Sequence, residues 1–402
     1  MTLRRAAIVS PLRTPVGKFL GSLASVSAGD LGAVIIRALV DRTGIDSERI
    51  DDVVFAQGYG NGEAPCIARW SLLAAGLPIS VPGYQLDRRC GSGLQSIIAA
   101  MMVQTGAADV VIAGGGESMS NVEHYTTDLR GGTKMGGVTL HDRLTRGRVM
   151  SQPIERFGVI SGMIETAENL AKDYGITREQ CDAYAVRSHQ RATAAWANGL
   201  FDHEIVPVPV TQKRGDPLLF THDEGYRADA TLASLGVLKP IEGGVVTAGN
   251  ASQQNDAAAA CFVVAEDMLA ELGLEPIAWF HSWAAAGCDP SRMGIGPVPA
   301  VERLFARNGL SWDDIDLIEL NEAFAPQVLA VLKGWSWGEN DSRHDMLNVN
   351  GSGISLGHPI GATGGRILAN LTHELVRRQG RYGLETMCIG GGQGIAAVFE
   401  RA

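Results

Sequence analysis

The sequence predicts an α/β layered fold around a central, mostly buried sheet, and three observations support this prediction. Residues 50–56 and 109–113 are short, strongly apolar runs of the kind that form buried strands. Stretches with apolar residues at helical spacing alternate with these runs, which is typical of α/β proteins. Related segments also recur in the two halves of the chain, which indicates a duplicated domain.

The first elements follow in a regular order. Residues 6–10, Ala-Ala-Ile-Val-Ser, predict the first strand, and a glycine-rich turn follows it. A helix is predicted around residues 30–42, because apolar residues recur there with a period of 3.6. The residues of this stripe are Leu31, Val34, Ile35, Leu39 and Val40.

Two pairs of segments suggest the duplication. Gly44 precedes an apolar strand that begins at Ile50, and Gly309 precedes one that begins at Ile315 at the same spacing. Residues 111–116 and 387–392 are each a strand that runs into three glycines. The pairs stand in the same order in the two halves, so we expect two similar α/β units.

The middle of the chain differs from both halves. Residues 121–160 have few apolar runs and many Gly, Thr, Arg and His residues. A long helix is predicted at about 178–198, followed by a stretch rich in Pro and Asp to about 244. We interpret this region as an insertion, and long insertions over an α/β core commonly carry ligand contacts.

Composition limits the class of protein. Of the 402 residues, 45% are hydrophobic and 19% charged, and the net charge of −10 argues against a nucleic-acid or anionic membrane partner. The cysteines are scattered without a CxxC pair, which fits a reducing compartment and predicts no zinc or disulfide framework. We also expect no signal peptide, no membrane span and no peroxisomal signal, so the predicted location is the cytoplasm.

Cys90 is the first candidate for chemistry. It precedes a Gly-Ser-Gly turn, and apolar residues at helical spacing begin at Leu94, so a helix is expected to open at or just after the cysteine. The positive end of that helix is expected to lower the pKa of the thiol and make it a better nucleophile. A small buried cysteine that only packs is the alternative.

Three further motifs lie in the second half. His358 stands in a loop of glycines just before a predicted helix, where it could serve as the base that a cysteine nucleophile needs. Cys388 ends an apolar strand that leads into a glycine run. Asn321 follows directly after another strand, a position where α/β folds place their sites. Each residue alone also allows a purely structural role.

Together these motifs resemble the thiolase family. The segments that carry the resemblance are 13–19, 90–95 (Cys-Gly-Ser-Gly-Leu-Gln), 247–252, 321–325 (Asn-Glu-Ala-Phe-Ala), 357–362 (Gly-His-Pro-Ile-Gly-Ala) and 388–392 (Cys-Ile-Gly-Gly-Gly). They stand in the family's order and cover nearly the whole chain.

The resemblance implies an acyltransferase that works through a covalent intermediate. Cys90 would carry the acyl group, His358 would activate its thiol, and Cys388 would move the α-proton of acetyl-CoA. One oxyanion hole would use His358 and a water held by Asn321, and the other the backbone N–H groups of Cys90 and Gly390. Coenzyme A, acetyl-CoA and acyl-CoA are then the expected partners, and no cofactor or metal is expected.

The resemblance also implies where the substrate binds. The expected contacts with coenzyme A or the acyl group are Met163, Arg227, Ser234, Ala248, Ser252, Ala323 and Phe324. Two departures from short-chain members of the family fall in this region. Gly162 stands where a histidine often precedes the methionine, and residues 151–158 are unlike the short-chain pattern. They leave open whether the substrate is acetoacetyl-CoA or a longer or cyclic 3-oxoacyl-CoA.

The implied architecture is two α/β units packed face to face, each with a mixed five-stranded sheet. Residues 1–121 with 250–273 would form the first unit, 122–249 an inserted loop domain, and 274–402 the second unit. A homodimer or homotetramer is expected. Two alternatives remain: a condensing enzyme of the β-ketoacyl synthase type, which typically lacks a second catalytic cysteine, and a thiolase-like subunit that only binds acyl-CoA.

Overall fold

The computed structural model describes residues 3–133 and 135–402. Met1, Thr2 and Lys134, which the predicted domain ranges include, lie outside the described residues. None of the helices in the described ranges is long and apolar enough to cross a lipid bilayer.

The first half contains most of one sheet and its helices. Its elements are β1 (Ala6–Arg13), β2 (Gly17–Lys18), α1 (Ala28–Thr43), β3 (Asp52–Ala56), α2 (Ile67–Ala74), β4 (Gly83–Leu86), α3 (Ser92–Ile97), α4 (Ala100–Gln104) and β5 (Val110–Ser118). The predicted helix at 30–42 is confirmed as α1. Ser27 caps its start by accepting a hydrogen bond from the N–H of Asp30, and Gly44 ends it in the left-handed conformation.

The region between β5 and the next long strand holds the predicted insertion. Its elements are β6 (His124–Tyr125), β7 (His141–Asp142), α5 (Arg143–Val149), α6 (Ile154–Phe157), α7 (Met163–Asp173), α8 (Arg178–Ala197), β8 (Val208–Val210), β9 (Leu218–Phe220) and α9 (Leu232–Gly236). The long helix predicted at 178–198 is α8, and a capping box of Thr177 and Gln180 fixes its start. The exact bounds of the three domains stay a prediction.

The chain then completes the first sheet and forms the second half. The elements are β10 (Asn255–Ala265), α10 (Leu269–Leu272), β11 (Ala278–Gly287), α11 (Pro297–Asn308), β12 (Leu317–Leu320), α12 (Ala325–Gly334), α13 (Gly353–Leu356), α14 (Thr363–Arg378), β13 (Tyr382–Ile389) and β14 (Gln393–Arg401). Short 3₁₀ turns lie at Ser47–Arg49, Arg89–Gly91, Met119–Asn121, Glu266–Met268, Pro290–Ile295, Trp312–Asp314, Ser342–Met346 and Ile360–Ala362.

The strands of the two halves form one continuous ten-stranded mixed sheet, and β6–β7 and β8–β9 form two small sheets. Each half contributes a run of the large sheet, called here the first and the second sheet, and the two runs have the same internal order. The first runs β1-β10-β5-β3-β4 and the second β11-β14-β13-β12, with the last strands of each parallel and the others antiparallel. In the second sheet the fifth position is held by Leu347, which makes a single parallel bridge to Ile318. The two sheets meet edge to edge where β1 pairs with β11 through two residue pairs.

The layers follow from the alternation of side chains along the strands. In β1, Ala7 and Val9 pack with α1 and α2 on the outer face, whereas Ala6 and Ile8 face a central layer. That central layer is made by α3 and α14, whose apolar residues contact both sheets. Helices α8, α11 and α12 cover the outer face of the second sheet. The predicted α/β layered fold is therefore confirmed.

The two central helices approach each other closely because glycines meet between them. A Cβ built on Gly364 of α14 would lie 2.0 Å from the backbone nitrogen of Leu94, and one on Gly93 would lie 2.6 Å from the nitrogen of Gly364. Only glycine leaves room for this contact. It fixes the distance between the helix that follows Cys90 and the helix that follows His358.

Candidate active site

Cys90 lies in the 3₁₀ turn Arg89–Gly91, directly before α3, as the sequence predicts. The turn holds Arg89 at φ +48°, a strained conformation for a residue with a side chain. Two hydrogen bonds stabilise it: the N–H of Arg89 donates to Asp87 (2.6 Å), and the N–H of Arg88 donates to the hydroxyl of Ser92 (2.7 Å). The strained turn thereby orients the thiol.

The expected lowering of the Cys90 pKa is wrong for this structure. Cys90 is only 8% exposed, and burial raises the pKa of its thiol. The N–H groups of Gly390 and of Cys90 itself, and the charge of Arg89, act in the opposite direction but do not outweigh burial. The helix that follows has only six residues, so its dipole adds little. The thiol is therefore protonated before a substrate or base acts on it.

His358 is held by its backbone and by one ring nitrogen. It follows Gly357, whose φ of +102° favours glycine, and its N–H donates to the side chain of Asn255 (2.8 Å). Its Nδ1 lies 2.7 Å from the hydroxyl of Thr363, and this hydroxyl donates its own hydrogen to the carbonyl of Pro359. Nδ1 must then be the donor, which leaves Nε2 as the unprotonated nitrogen that can accept a proton.

Burial also determines the charge of His358. The ring is almost fully buried, and this burial, followed by the charges of Arg366 and Arg148, lowers its pKa to about 3. The imidazole is therefore neutral at any ordinary pH and available as a base.

Asn321 follows β12, and its N–H donates to the carbonyl of Thr386 on β13. Its Nδ2 lies 3.5 Å from both ring nitrogens of His358, at the long limit of a hydrogen bond. Its Oδ1 is buried and has no hydrogen-bond partner within the described residues. A buried polar atom of this kind usually bonds to water or a ligand.

Cys90, His358 and Gly390 line one cavity of about 410 Å³, a volume typical of small-molecule sites. Three segments that are distant in the sequence thus meet at one place.

Cys388 lies just behind the wall of this cavity. It is fully buried in β13 and clusters with Met293, Ala323 and Phe324, which do line the cavity. Burial raises the pKa of its thiol well above the ordinary value, and the charge that Cys90 can carry raises it further. The two thiols are therefore close enough to influence each other, and Cys388 is held as a neutral thiol.

Of the seven residues expected to contact coenzyme A or the acyl group, five line the cavity: Met163, Ala248, Ser252, Ala323 and Phe324. Ser252 is placed by a hydrogen bond from its N–H to the carbonyl of Ala323 (2.9 Å). The other two, Arg227 and Ser234, are exposed and do not line it. The hydroxyl of Ser234 bonds to the backbone of Thr231 at the start of α9.

Glu117, which the sequence analysis did not single out, ties the site together. This buried carboxylate accepts hydrogen bonds from the N–H groups of Gly58 (2.9 Å), Tyr59 (3.3 Å) and Gly361 (3.0 Å). It thereby joins the loop after β3 to the loop of His358. Burial raises its pKa to about 7, which the three N–H groups oppose. No motif in the sequence indicates this role.

Arg148 is a second residue that sequence reasoning missed. It lies near the end of α5 and lines the cavity together with Cys90 and His358. The sequence shows only that its region is rich in arginine. Among residues 3–133 and 135–402, no group of three or more His, Cys, Asp and Glu side chains is arranged to hold a metal ion.

Comparison with known proteins identifies the family of the chain. The family model for the thiolase N-terminal domain matches residues 6–267, and that for the C-terminal domain matches residues 274–401. An acetyl-CoA acetyltransferase of Chromobacterium violaceum is 44% identical over 98% of this chain and 99% of its own. An acetyl-CoA acetyltransferase of Escherichia coli is 45% identical over 99% of this chain and 100% of its own.

Solved structures show the same fold. The acetyl-CoA acetyltransferase of Bacillus anthracis superimposes with a TM-score of 0.94 at 39% identity, covering 100% of both chains. Human mitochondrial 3-ketoacyl-CoA thiolase in complex with CoA superimposes with a TM-score of 0.92 at 38% identity, covering 100% of this chain and 99% of its own. The chain belongs to the thiolase family of acyltransferases.

Proposed function

We propose that this protein is a thiolase that interconverts acyl-CoA plus acetyl-CoA with CoA plus 3-oxoacyl-CoA, through an acyl group carried on Cys90. The observation that carries the proposal is the meeting of Cys90, His358 and Gly390 at one cavity, with the thiol of Cys388 behind its wall. The names of the relatives and the CoA complex of a neighbouring structure support acyl-CoA substrates.

In the direction of thiolysis, the first half-reaction begins at Cys90. Its thiol gives its proton to Nε2 of His358, and the sulfur attacks the 3-oxo carbon of the substrate. The carbon–carbon bond breaks, and the departing enolate of acetyl-CoA takes the proton of Cys388. A neutral thiol is suited to this role as an acid, which agrees with the raised pKa of Cys388.

The second half-reaction restores the protein. The thiol of CoA gives its proton to the Cys388 thiolate, and its sulfur attacks the acyl group on Cys90. Acyl-CoA leaves, and the Cys90 sulfur recovers its proton from His358. Condensation is the same sequence in reverse. No step requires a metal or a redox cofactor.

Two sets of donors would stabilise the negative charge on the carbonyl oxygens. The N–H groups of Cys90 and Gly390 face the thiol and suit the oxyanion formed at the acyl carbon. His358 and a water bound to Asn321 suit the enolate oxygen, and the unpartnered Oδ1 of Asn321 supports a water there.

Thiolysis of a series of 3-oxoacyl-CoA esters, with free CoA as acceptor, tests the proposal. We expect acetyl-CoA and the shortened acyl-CoA as equimolar products, detected by liquid chromatography. Activity confined to acetoacetyl-CoA would indicate a short-chain enzyme, and activity that rises with chain length or ring size would indicate a degradative one. A protein that binds these esters without turning over any of them would contradict the proposal and favour a binding subunit.

The pH dependence of acylation should reflect the neutral state of His358. Since its pKa is lowered to about 3, the base form is present throughout and is lost only as pH falls towards that value. We expect the rate of the CoA burst from acetyl-CoA to change less than about twofold between pH 8 and pH 5. A histidine with an ordinary pKa near 6.5 would give a fall of about 30-fold over this range. Rapid-quench measurements distinguish a histidine with a lowered pKa from one with an ordinary pKa, and circular dichroism at each pH verifies that the protein is folded.

The expected homodimer or homotetramer and the expected cytoplasmic location stay predictions. Light scattering and fractionation of the source cells would test them.

A further inference from the structure

The cavity contains a cation that the proposed chemistry does not use. Arg148 lies in the last turn of α5, whose first turn is capped by Asp142 through hydrogen bonds from Leu144 (2.9 Å) and Thr145 (3.2 Å). The side chain of Arg148 is half-buried and lines the cavity beside Cys90 and His358.

No carboxylate neutralises this cation. In the part of the chain that the structure describes, Arg148 forms no ion pair, although Arg143 on the same helix pairs with Glu123 at 2.7 Å. Glu242, the acidic residue in the lining, is exposed. Partial burial and the charges of Glu165 and Glu168 raise its pKa, and no arginine lowers it. Arg148 therefore offers a free positive charge to the cavity.

Arg89, the other cation in the lining, is bonded to the backbone of the protein. Its two terminal nitrogens each donate to a backbone carbonyl, those of Gly58 and Gly147, at 3.3 Å. These bonds brace the strained turn at Cys90. Arg89 therefore braces the backbone. Within the described residues, the guanidinium of Arg148 meets only the phenol of Tyr59, which carries no charge, and its remaining donors are available for a ligand.

The position of Arg148 shows which part of a ligand it would meet. Its charge acts on His358 and on the phenol of Tyr59, so the guanidinium lies at the reacting end of the cavity. Apolar side chains of Met119 and Ile360 line the same part. In coenzyme A the pantetheine arm separates the thioester from the phosphates, so the phosphates cannot be the anion for a cation that lies beside the catalytic histidine.

An apolar acyl chain packed against this half-buried cation would displace water from it without replacing the hydrogen bonds, which costs free energy. A carboxylate at the far end of the acyl chain would instead form a charge-assisted, two-point hydrogen bond with the guanidinium. We infer that the acyl substrate carries a carboxylate, so that the protein acts on ω-carboxylated 3-oxoacyl-CoA esters and Arg148 determines this specificity. This inference rests on the proposed thiolase function.

Matched pairs of substrates test the inference on the unaltered protein. Thiolysis of 3-oxoadipyl-CoA is compared with 3-oxohexanoyl-CoA, and 3-oxosuberyl-CoA with 3-oxooctanoyl-CoA. The members of a pair differ only in a terminal carboxylate or methyl group. In at least one of the two pairs, we expect kcat/KM of the carboxylated ester to be about tenfold or more above that of the neutral ester, as a charge-assisted hydrogen bond allows.

Substitution of Arg148 then assigns the preference to this residue. Arg148→Gln should lower kcat/KM for the carboxylated ester on the order of 30-fold and change the neutral ester less than about threefold. Arg148→Lys should retain part of the preference because the charge remains. Arg156→Gln is the matched control, since it removes an exposed arginine of the same region that does not line the cavity.

Several results would overturn the inference. One is equal kcat/KM within both pairs for the unaltered protein, and another is an equal loss on both members of a pair in Arg148→Gln. The third is a preference that Arg156→Gln removes equally well. If the protein cleaves only the neutral esters, the thiolase function stands, but the inference that the acyl substrate carries a carboxylate is refuted. Absence of thiolysis with every ester would refute the thiolase function itself, and the inference with it.

Discussion

Cys90→Ser should abolish the acyl-protein and lower the rate of thiolysis on the order of 10⁴-fold or more. A hydroxyl is close in size to a thiol but far less acidic, so His358 cannot activate it to the same degree. The fold should persist, because the turn around residue 90 is held by the side chains of Asp87 and Ser92 and not by the sulfur.

Mass spectrometry locates the acyl group directly. Trypsin should release residues 90–130 as one peptide with Cys90 as its sole cysteine, and residues 382–401 as another with Cys388 as its sole cysteine. After reaction with acetyl-CoA, we expect one acetyl group on the first peptide in the unaltered protein and none in the variant. Cys66→Ser is the control, because Cys66 is half-buried and does not line the cavity. An acetyl group on any peptide of Cys90→Ser, formed at the normal rate, would show that another residue is the nucleophile.

Much of the fold could be predicted from the sequence because its signals are local and repeated. The stripe of α1 and the capping residues of α8 define those helices, and the paired segments at residues 44–54 and 309–318 indicate the duplication. The edge-to-edge pairing of β1 with β11 was not predicted, because a contact between residues so far apart leaves no pattern along the chain. Nor did the sequence indicate that the fifth position of the second sheet is a single bridge at Leu347.

For the site, the motifs identified the residues but not their electrostatics. The expected direction of the Cys90 pKa was wrong because burial by distant segments outweighs the local helix. The tautomer of His358 depends on Thr363 and Pro359, and its neutral state on burial, both properties of the folded chain. Arg148 and Glu117 belong to no motif that the sequence analysis recognised. They enter the site only because α5 and β5 bring them there.

Cys388→Ser should separate the two half-reactions. The variant should still acquire an acetyl group on Cys90 from acetyl-CoA, because His358 and the N–H of Gly390 are unchanged. It should do so more slowly than the unaltered protein, since in the proposed scheme the departing CoA takes its proton from Cys388. Cleavage or formation of the carbon–carbon bond should fall on the order of 10³-fold, as expected when a general acid or base is lost. The Cys388 side chain is fully buried, so a hydroxyl of similar size fits, but its proton is much harder to remove.

Hydrogen exchange gives the sharper measurement. In deuterated water the unaltered protein should exchange the methyl hydrogens of acetyl-CoA, because Cys388 removes and returns an α-proton, and Cys388→Ser should not. Cys66→Ser should exchange normally. Normal exchange or full turnover by Cys388→Ser would assign the proton transfer to another group, with His358 as the first to test. A condensing enzyme of the β-ketoacyl synthase type needs no second cysteine and would tolerate the substitution, so the same variant decides between that alternative and the proposed thiolase.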